Sequence, residues 1–183
     1  MERENLFETS YKNDSGRIGR ICPITFEKKG IEVVLSGGAA VGIYSNSRYI
    51  SKDLDFINVY AANRRNIRAA MEEIGFQEEG RYFTHPDTEF FIEFPAGPLA
   101  IGAEPVKQII KKKFSTGILQ IISPTDCVKD RLAAFYHWGD RQCLAQAELV
   151  AQEYPIDLNE IERWSAVEEK QDEFQRIKER LAG

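Results

Sequence analysis

Apolar positions along the chain fall into two rhythms. Residues 31–35, Ile-Glu-Val-Val-Leu, form a short β-branched run, and 53–59 alternates polar with apolar, so both are predicted strands. Between them, 39–44 is small and apolar, suited to the first turns of a helix packed on the first strand. From 64 to 74 the spacing changes, with Ile67, Ala70, Met71 and Ile74 on one helical face and Gly75 as the stop. β-rich pieces follow at 81–84, 89–94, 99–102, 106–110 and 118–122. From Ser123 onward the rhythm is helical. Ser123 is an N-cap, Pro124 takes the first helical position and Asp126 the third. Two further helices are predicted at 140–153 and 158–181, the second with an apolar stripe of Trp164, Val167, Phe174, Ile177 and Leu181.

This pattern implies an α+β fold with a helical C-terminal third. The organisation read from it is a polar N-terminal segment (1–22), an α/β core (23–122) and a helical region packed on that core (123–183). The 183 residues suffice for one domain with a sizeable core. A hydrophobic fraction of 43% and a charged fraction of 29% are those of an ordinary soluble protein. The net charge of -5 argues against a surface built for bulk nucleic-acid binding, though it permits a local basic patch. No run approaches the ~20 apolar residues of a membrane span, and the N-terminus lacks a signal-peptide core. Cys22, Cys127 and Cys143 show no metal-ligand spacing, so they read as free thiols of a cytoplasmic protein.

Two short motifs stand out against this background. A buried carboxylate is costly without a partner, yet Asp53-Leu54-Asp55-Phe56 places two acids inside an apolar run. On a strand, Asp53 and Asp55 project together, about 6.6–6.8 Å apart at Cα, while Leu54 and Phe56 turn to the core. Two such carboxylates repel unless a cation sits between them, and a divalent ion with oxygen ligands, magnesium or manganese, is the natural occupant. Upstream, Gly37 and Gly38 lack Cβ atoms and let the backbone approach a ligand, with the amides of Gly38, Ala39 and Ala40 facing a phosphate at a helix N-terminus. Phosphate cradle and metal clamp on adjacent elements suit phosphoryl or nucleotidyl transfer.

The Gly-Gly turn followed by Asp-Leu-Asp-Phe resembles the signature of the nucleotidyltransferase superfamily, over roughly residues 31–150, and looks most like its minimal, toxin-type AbiEii-like branch. That resemblance implies a nucleotidyltransferase-like mixed sheet with helices on one face. It also implies a magnesium-dependent transfer of a nucleoside monophosphate from a nucleoside triphosphate to an acceptor: tRNA, a protein side chain or a small molecule such as an aminoglycoside. A toxin–antitoxin role is implied with it, and a cognate antitoxin or a homodimer as partner. A third carboxylate is expected on a later strand, as base or metal ligand. Glu93 is the choice over Glu89, being deeper in the apolar Glu89-Phe-Phe-Ile-Glu-Phe segment. Lys129, on the helix that Ser123 opens, is by resemblance a phosphate-binding cation, against an ordinary ion pair with Asp126 three residues earlier. Ser36 is read as a phosphate ligand or a cap for the turn. Arg48 and Ser51 are placed to steer a triphosphate, while Lys52 alternates away from the aspartates. Lys111, Lys112 and Lys113 read as a solvated turn that, with Lys107, could contact a polyanionic acceptor. The alternatives to an active enzyme are a catalytically inactive nucleotide-binding module and an interaction protein built on the C-terminal helices.

Overall fold

Strands form here where one face of an alternating segment can be buried, and the pairing follows from which faces match. The computed structural model describes Phe26 and residues 29–59, 62–95, 97–114 and 117–182. The predicted segment 1–22, and Cys22 with it, lies outside the described residues. In chain order the elements are β1 (Val33–Ser36), α1 (Gly37–Tyr44), β2 (Asp53–Asn58), α2 (Arg64–Glu73), β3 (Gln77–Glu79), β4 (Tyr82–His85), β5 (Thr88–Glu93), β6 (Ala100–Ile101), β7 (Glu104–Pro105), β8 (Ile109–Phe114), β9 (Gly117–Ile122), α3 (Pro124–Trp138), α4 (Arg141–Glu153), α5 (Leu158–Val167) and α6 (Gln171–Leu181).

Seven strands make one mixed sheet in the order β3-β4-β5-β2-β1-β9-β8, and β6-β7 form a separate hairpin. β2 lies between β1, antiparallel to it, and β5, parallel to it. Its alternation is kept: Leu54 and Phe56 are fully buried, Asp53 and Asp55 half-buried. Phe56 stacks on Phe94, which meets Phe83 edge-on, and α2 joins the same core through Ile67, Ala70 and Met71. The expected Ser123 cap forms, and two caps not anticipated join it. Asn63 opens α2, accepting from the Arg65 and Asn66 amides. Ser123 Oγ accepts from the Asp126 amide at 3.1 Å to open α3, and Gly139 closes that helix in the left-handed region.

Three sequence expectations shift. The helix expected over 158–181 is two, because Glu169 takes a left-handed φ of 59° and the chain turns back. Glu162 accepts from both Gln175 and Lys178, contacts that a single straight helix would hold about 20 Å apart or more. The fold-back buries Ile161 and Trp164 as well as Phe174, Ile177 and Leu181. The strand expected at 106–110 begins instead at Ile109 and runs to Phe114, so the lysine run sits in an edge strand and not a turn. Lysines keep such an edge from pairing with another chain. Lys112 itself lies over the rings of Tyr44 and Tyr154, at 4.9 and 4.8 Å. The strand expected at 99–102 shrinks to Ala100–Ile101, paired with Glu104–Pro105. β3 went unanticipated, because its polar residues show no alternation and it pairs on one side alone.

Helices and hairpin are tied by charge. Lys129 is 1% exposed, and its ammonium pairs with Asp126 at 3.1 Å and Glu160 at 3.3 Å while facing the Trp164 ring. Glu160 also meets Lys107 and Arg163, and Arg163 reaches Glu104 in the hairpin. Glu160 is accordingly held well below the usual carboxylate range, by Arg163 first and then by the two lysines. Breaking such a buried pair strands charge out of water. Lys129→Ala is therefore expected to lower stability by about 3 kcal/mol, roughly 6–12 °C in melting temperature. Thermal denaturation checks this; a side chain reserved for phosphate would leave the melting temperature unchanged on removal.

Candidate active site

The site is assembled by strand register. Ser36 of β1 stands opposite Asp55 of β2, Asp55 opposite Glu93 of β5, and Glu93 opposite Tyr82 of β4. Paired residues share a face, so four neighbouring strands, about 4.8 Å apart, each contribute one side chain to a single row. Asp53 lies beside Asp55 on that face, opposite Phe91. One carboxylate oxygen from each of Asp53, Asp55 and Glu93 falls within 4.8 Å of the other two. The structure thus brings together the three acids singled out in the sequence. Glu89, the other candidate, is exposed and pairs with Lys52 at 2.5 Å.

Three acids this close perturb one another. Asp55 has its pKa pushed up to about 7, by burial first and then by Asp53, Glu93 and Asp130, with Arg131 opposing. Asp53 is raised too, by burial and by Glu93, with Arg81 opposing. Asp53 Oδ1 is buried and has no hydrogen-bond partner among the described residues. Arg81 Nε lies 3.5 Å from Glu93 Oε1. A shared hard cation would relieve both the repulsion and the orphaned oxygen, and the all-oxygen donor set fits magnesium or manganese.

The glycine pair has a local reason. Gly37 adopts φ 67°, and a Cβ there would lie 2.3 Å from Asp55 Oδ2. A Cβ on Gly38 would lie 2.9 Å from Ser51 Oγ, which accepts from the Asp53 amide. What the missing side chains admit is therefore Asp55 and Ser51, so α1 starts directly against the carboxylates. The helix begins at Gly37, two residues before the expected start, with Ser36 at its N-cap. Ser36 Oγ donates a long bond, 3.5 Å, to the Asp55 carbonyl and makes no cap.

Other expectations are corrected. Lys129 takes the ion-pair reading, enclosed with Asp126 and Glu160. Arg48 pairs with Glu153 and Gln152 of α4, and Lys107 with Glu160. Two cations went unnoticed in the sequence. Arg81 sits at Glu93, and Arg131 of α3, bonded to Asp130 and Gln146, is felt at Asp55. Arg81 had no usable signal: the His85-Pro86-Asp87-Thr88 turn marks a β4–β5 hairpin, but straight counting from His85 opposite Thr88 sets Tyr82 against Phe91, and a register shift between Phe83 and His85 moves it to Glu93.

Because Asp55 must be ionised to hold a cation, proton and metal compete for it. With a pKa near 7, about a tenth of Asp55 is ionised at pH 6 and nine-tenths at pH 8. Manganese affinity, measured by calorimetry, is expected to rise about tenfold between those values. The sign for stability is opposite. The raised pKa means that the metal-free fold binds a proton that the unfolded chain has lost, so this contribution is complete below about pH 4 and gone above about pH 7.

No protein-family model matches the chain, and no curated protein does. Solved structures do. ANT(2″)-Ia in complex with adenylyl-2″-tobramycin superposes with a TM-score of 0.56 at 13% identity, over 85% of this chain and 96% of that one. The solution structure of the antibiotic-resistance factor ANT(2″)-Ia gives 0.53 at 12%, over 92% and 95%. A nucleotidyltransferase-like protein from Paracoccidioides brasiliensis gives 0.65 at 11%, over 92% of each chain. At these identities the likeness is one of architecture: the mixed sheet and helices of this chain form a nucleotidyltransferase-like fold.

Proposed function

We propose that this protein is a metal-dependent nucleotidyltransferase that moves a nucleoside monophosphate from a nucleoside triphosphate to an acceptor hydroxyl. The observation that carries the reading is the acidic triad, with its mutual proximity and an Asp53 Oδ1 that is unpartnered among the described residues. A fold shared with nucleotidyltransferase-like proteins supports it.

In this reading Asp53 and Asp55 hold magnesium or manganese, and Glu93 either completes the metal set or takes the proton of the acceptor hydroxyl. A bound divalent ion would supply charge neutralisation at the phosphoryl oxygens under attack. The start of α1 would receive the phosphates, through the amides at Gly37 and Gly38 and the Ser36 hydroxyl. Burial matters to both tasks. It raises the Asp55 pKa so that the carboxyl tends to hold a proton when no cation is near, yet leaves it ionisable near neutrality when a cation arrives. A small-molecule acceptor is supported by the ANT(2″)-Ia neighbour bound to adenylyl-2″-tobramycin. A toxin role rests on the Gly-Gly and Asp-Leu-Asp-Phe resemblance alone.

Asp55→Asn is expected to abolish magnesium-dependent binding of triphosphate, and to raise the melting temperature of the metal-free protein above pH 7 by removing a buried, repelled charge. Calorimetry with each triphosphate, with and without magnesium, checks the first; equal affinity in both conditions excludes the mechanism. Glu93→Gln should spare triphosphate binding while slowing transfer by on the order of a hundredfold or more, read as single-turnover rates with labelled triphosphate and cell extract.

A further inference from the structure

The row of side chains across the sheet continues past Glu93 in a way that the triad does not require. Phe91 is half-buried on the polar face of β5, opposite Asp53, while Phe90, Ile92 and Phe94 turn to the core. Its ring meets Tyr82 edge-on at 4.9 Å. Arg81 lies in the turn just before β4, where strand alternation carried back one residue would send it to the other face. Instead its guanidinium folds back over the Tyr82 ring, 4.7 Å from the centroid, and bonds the Tyr82 hydroxyl. That posture leaves the Arg81 side chain 69% exposed beside Glu93. Two aromatic rings and a solvent-facing guanidinium thus form one flank of the acidic cluster.

The flank lies opposite the glycine turn. Ser36 and the start of α1 are on the β1 side of Asp55, and Tyr82 is on the β4 side of Glu93. Tyr82 stands two strands from Asp55, about 10 Å. A triphosphate held at α1 would occupy the β1 side and leave this flank to the acceptor. We infer that Arg81, Tyr82 and Phe91 form the acceptor subsite, and that it selects a hydroxyl carried by a ring-bearing anionic molecule. The inference rests on the nucleotidyltransferase reading. Guanidinium groups bind anionic oxygens in a fork, and aromatic rings stack planar groups. A polycation would meet the positive charge of Arg81 and be disfavoured there. With the acceptor on this flank, its hydroxyl oxygen bonds to the α-phosphorus as the bond from that phosphorus to the β-bridging oxygen breaks. Pyrophosphate leaves with the electron pair, and the hydroxyl proton passes to Glu93.

The test uses the full chain saturated with manganese and α,β-methylene ATP, and titrates it by calorimetry with phenyl phosphate or with spermidine. Phenyl phosphate should bind and spermidine should not. Arg81→Ala and Tyr82→Ala should each weaken phenyl phosphate by about five- to tenfold, with Tyr82→Ala leaving the triphosphate analogue unaffected. Arg81 is too exposed for its removal to threaten folding, which circular dichroism verifies. Preference for spermidine, or phenyl phosphate affinity indifferent to both substitutions, overturns the subsite while the nucleotide reading stands. Displacement of the triphosphate analogue by phenyl phosphate assigns the flank to the nucleotide and overturns its role for the acceptor. Failure of the analogue itself to bind overturns both readings.

Discussion

Everything in the site depends on the register of β2 between β1 and β5. Antiparallel pairing with β1 sets Ser36 against Asp55, and parallel pairing with β5 sets Glu93 against Asp55. A slip of one residue in either pairing would send the carboxylate to the apolar face, where Leu54, Phe56, Ile92 and Phe83 already fill the space. Hydrophobic burial on one side of the sheet therefore fixes the acidic cluster on the other. The repulsion among the carboxylates is sustained by a core that cannot rearrange to relieve it.

The backbone then closes around that cluster. Gly37 turns the chain from β1 into α1 within van der Waals reach of Asp55, a turn that its positive φ and the missing Cβ make feasible together. On the far side, the β4–β5 hairpin brings Arg81 to Glu93. The site is thus flanked by a helix start with backbone donors and by a guanidinium, each suited to negative charge. Under the proposed function, acids in the middle with groups suited to negative charge on both sides would serve a cation-bridged, multiply charged substrate.

The C-terminal third does a separate job. Its helices are locked to the β6–β7 hairpin by the Lys129, Asp126, Glu160, Arg163 and Glu104 ion pairs and by Trp164, whose indole donates to the Ile101 carbonyl. From α3, Asp130 and Arg131 are also felt at Asp55. The cation that reaches Asp55 is two residues away from the lysine that a linear reading selects, because that lysine is turned inward and ion-paired.

The sequence by itself determined the strands on either side of the glycine turn, the apolar face of α2, the capped start of α3, and the pairing of Asp53 with Asp55, since alternation and capping act between residues close in the chain. It also pointed to Glu93, because a carboxylate deep in an apolar strand calls for a partner. Tertiary structure alone decided the rest. Whether Lys129 is a ligand or an ion-pair partner depends on Glu160, thirty-one residues later. The break at Glu169 depends on the core's need to bury Trp164 and Phe174 together, and a helical period continues unaltered across that break. Arg81 joins the site because, from the turn before β4, its guanidinium folds over its neighbour's ring and reaches Glu93.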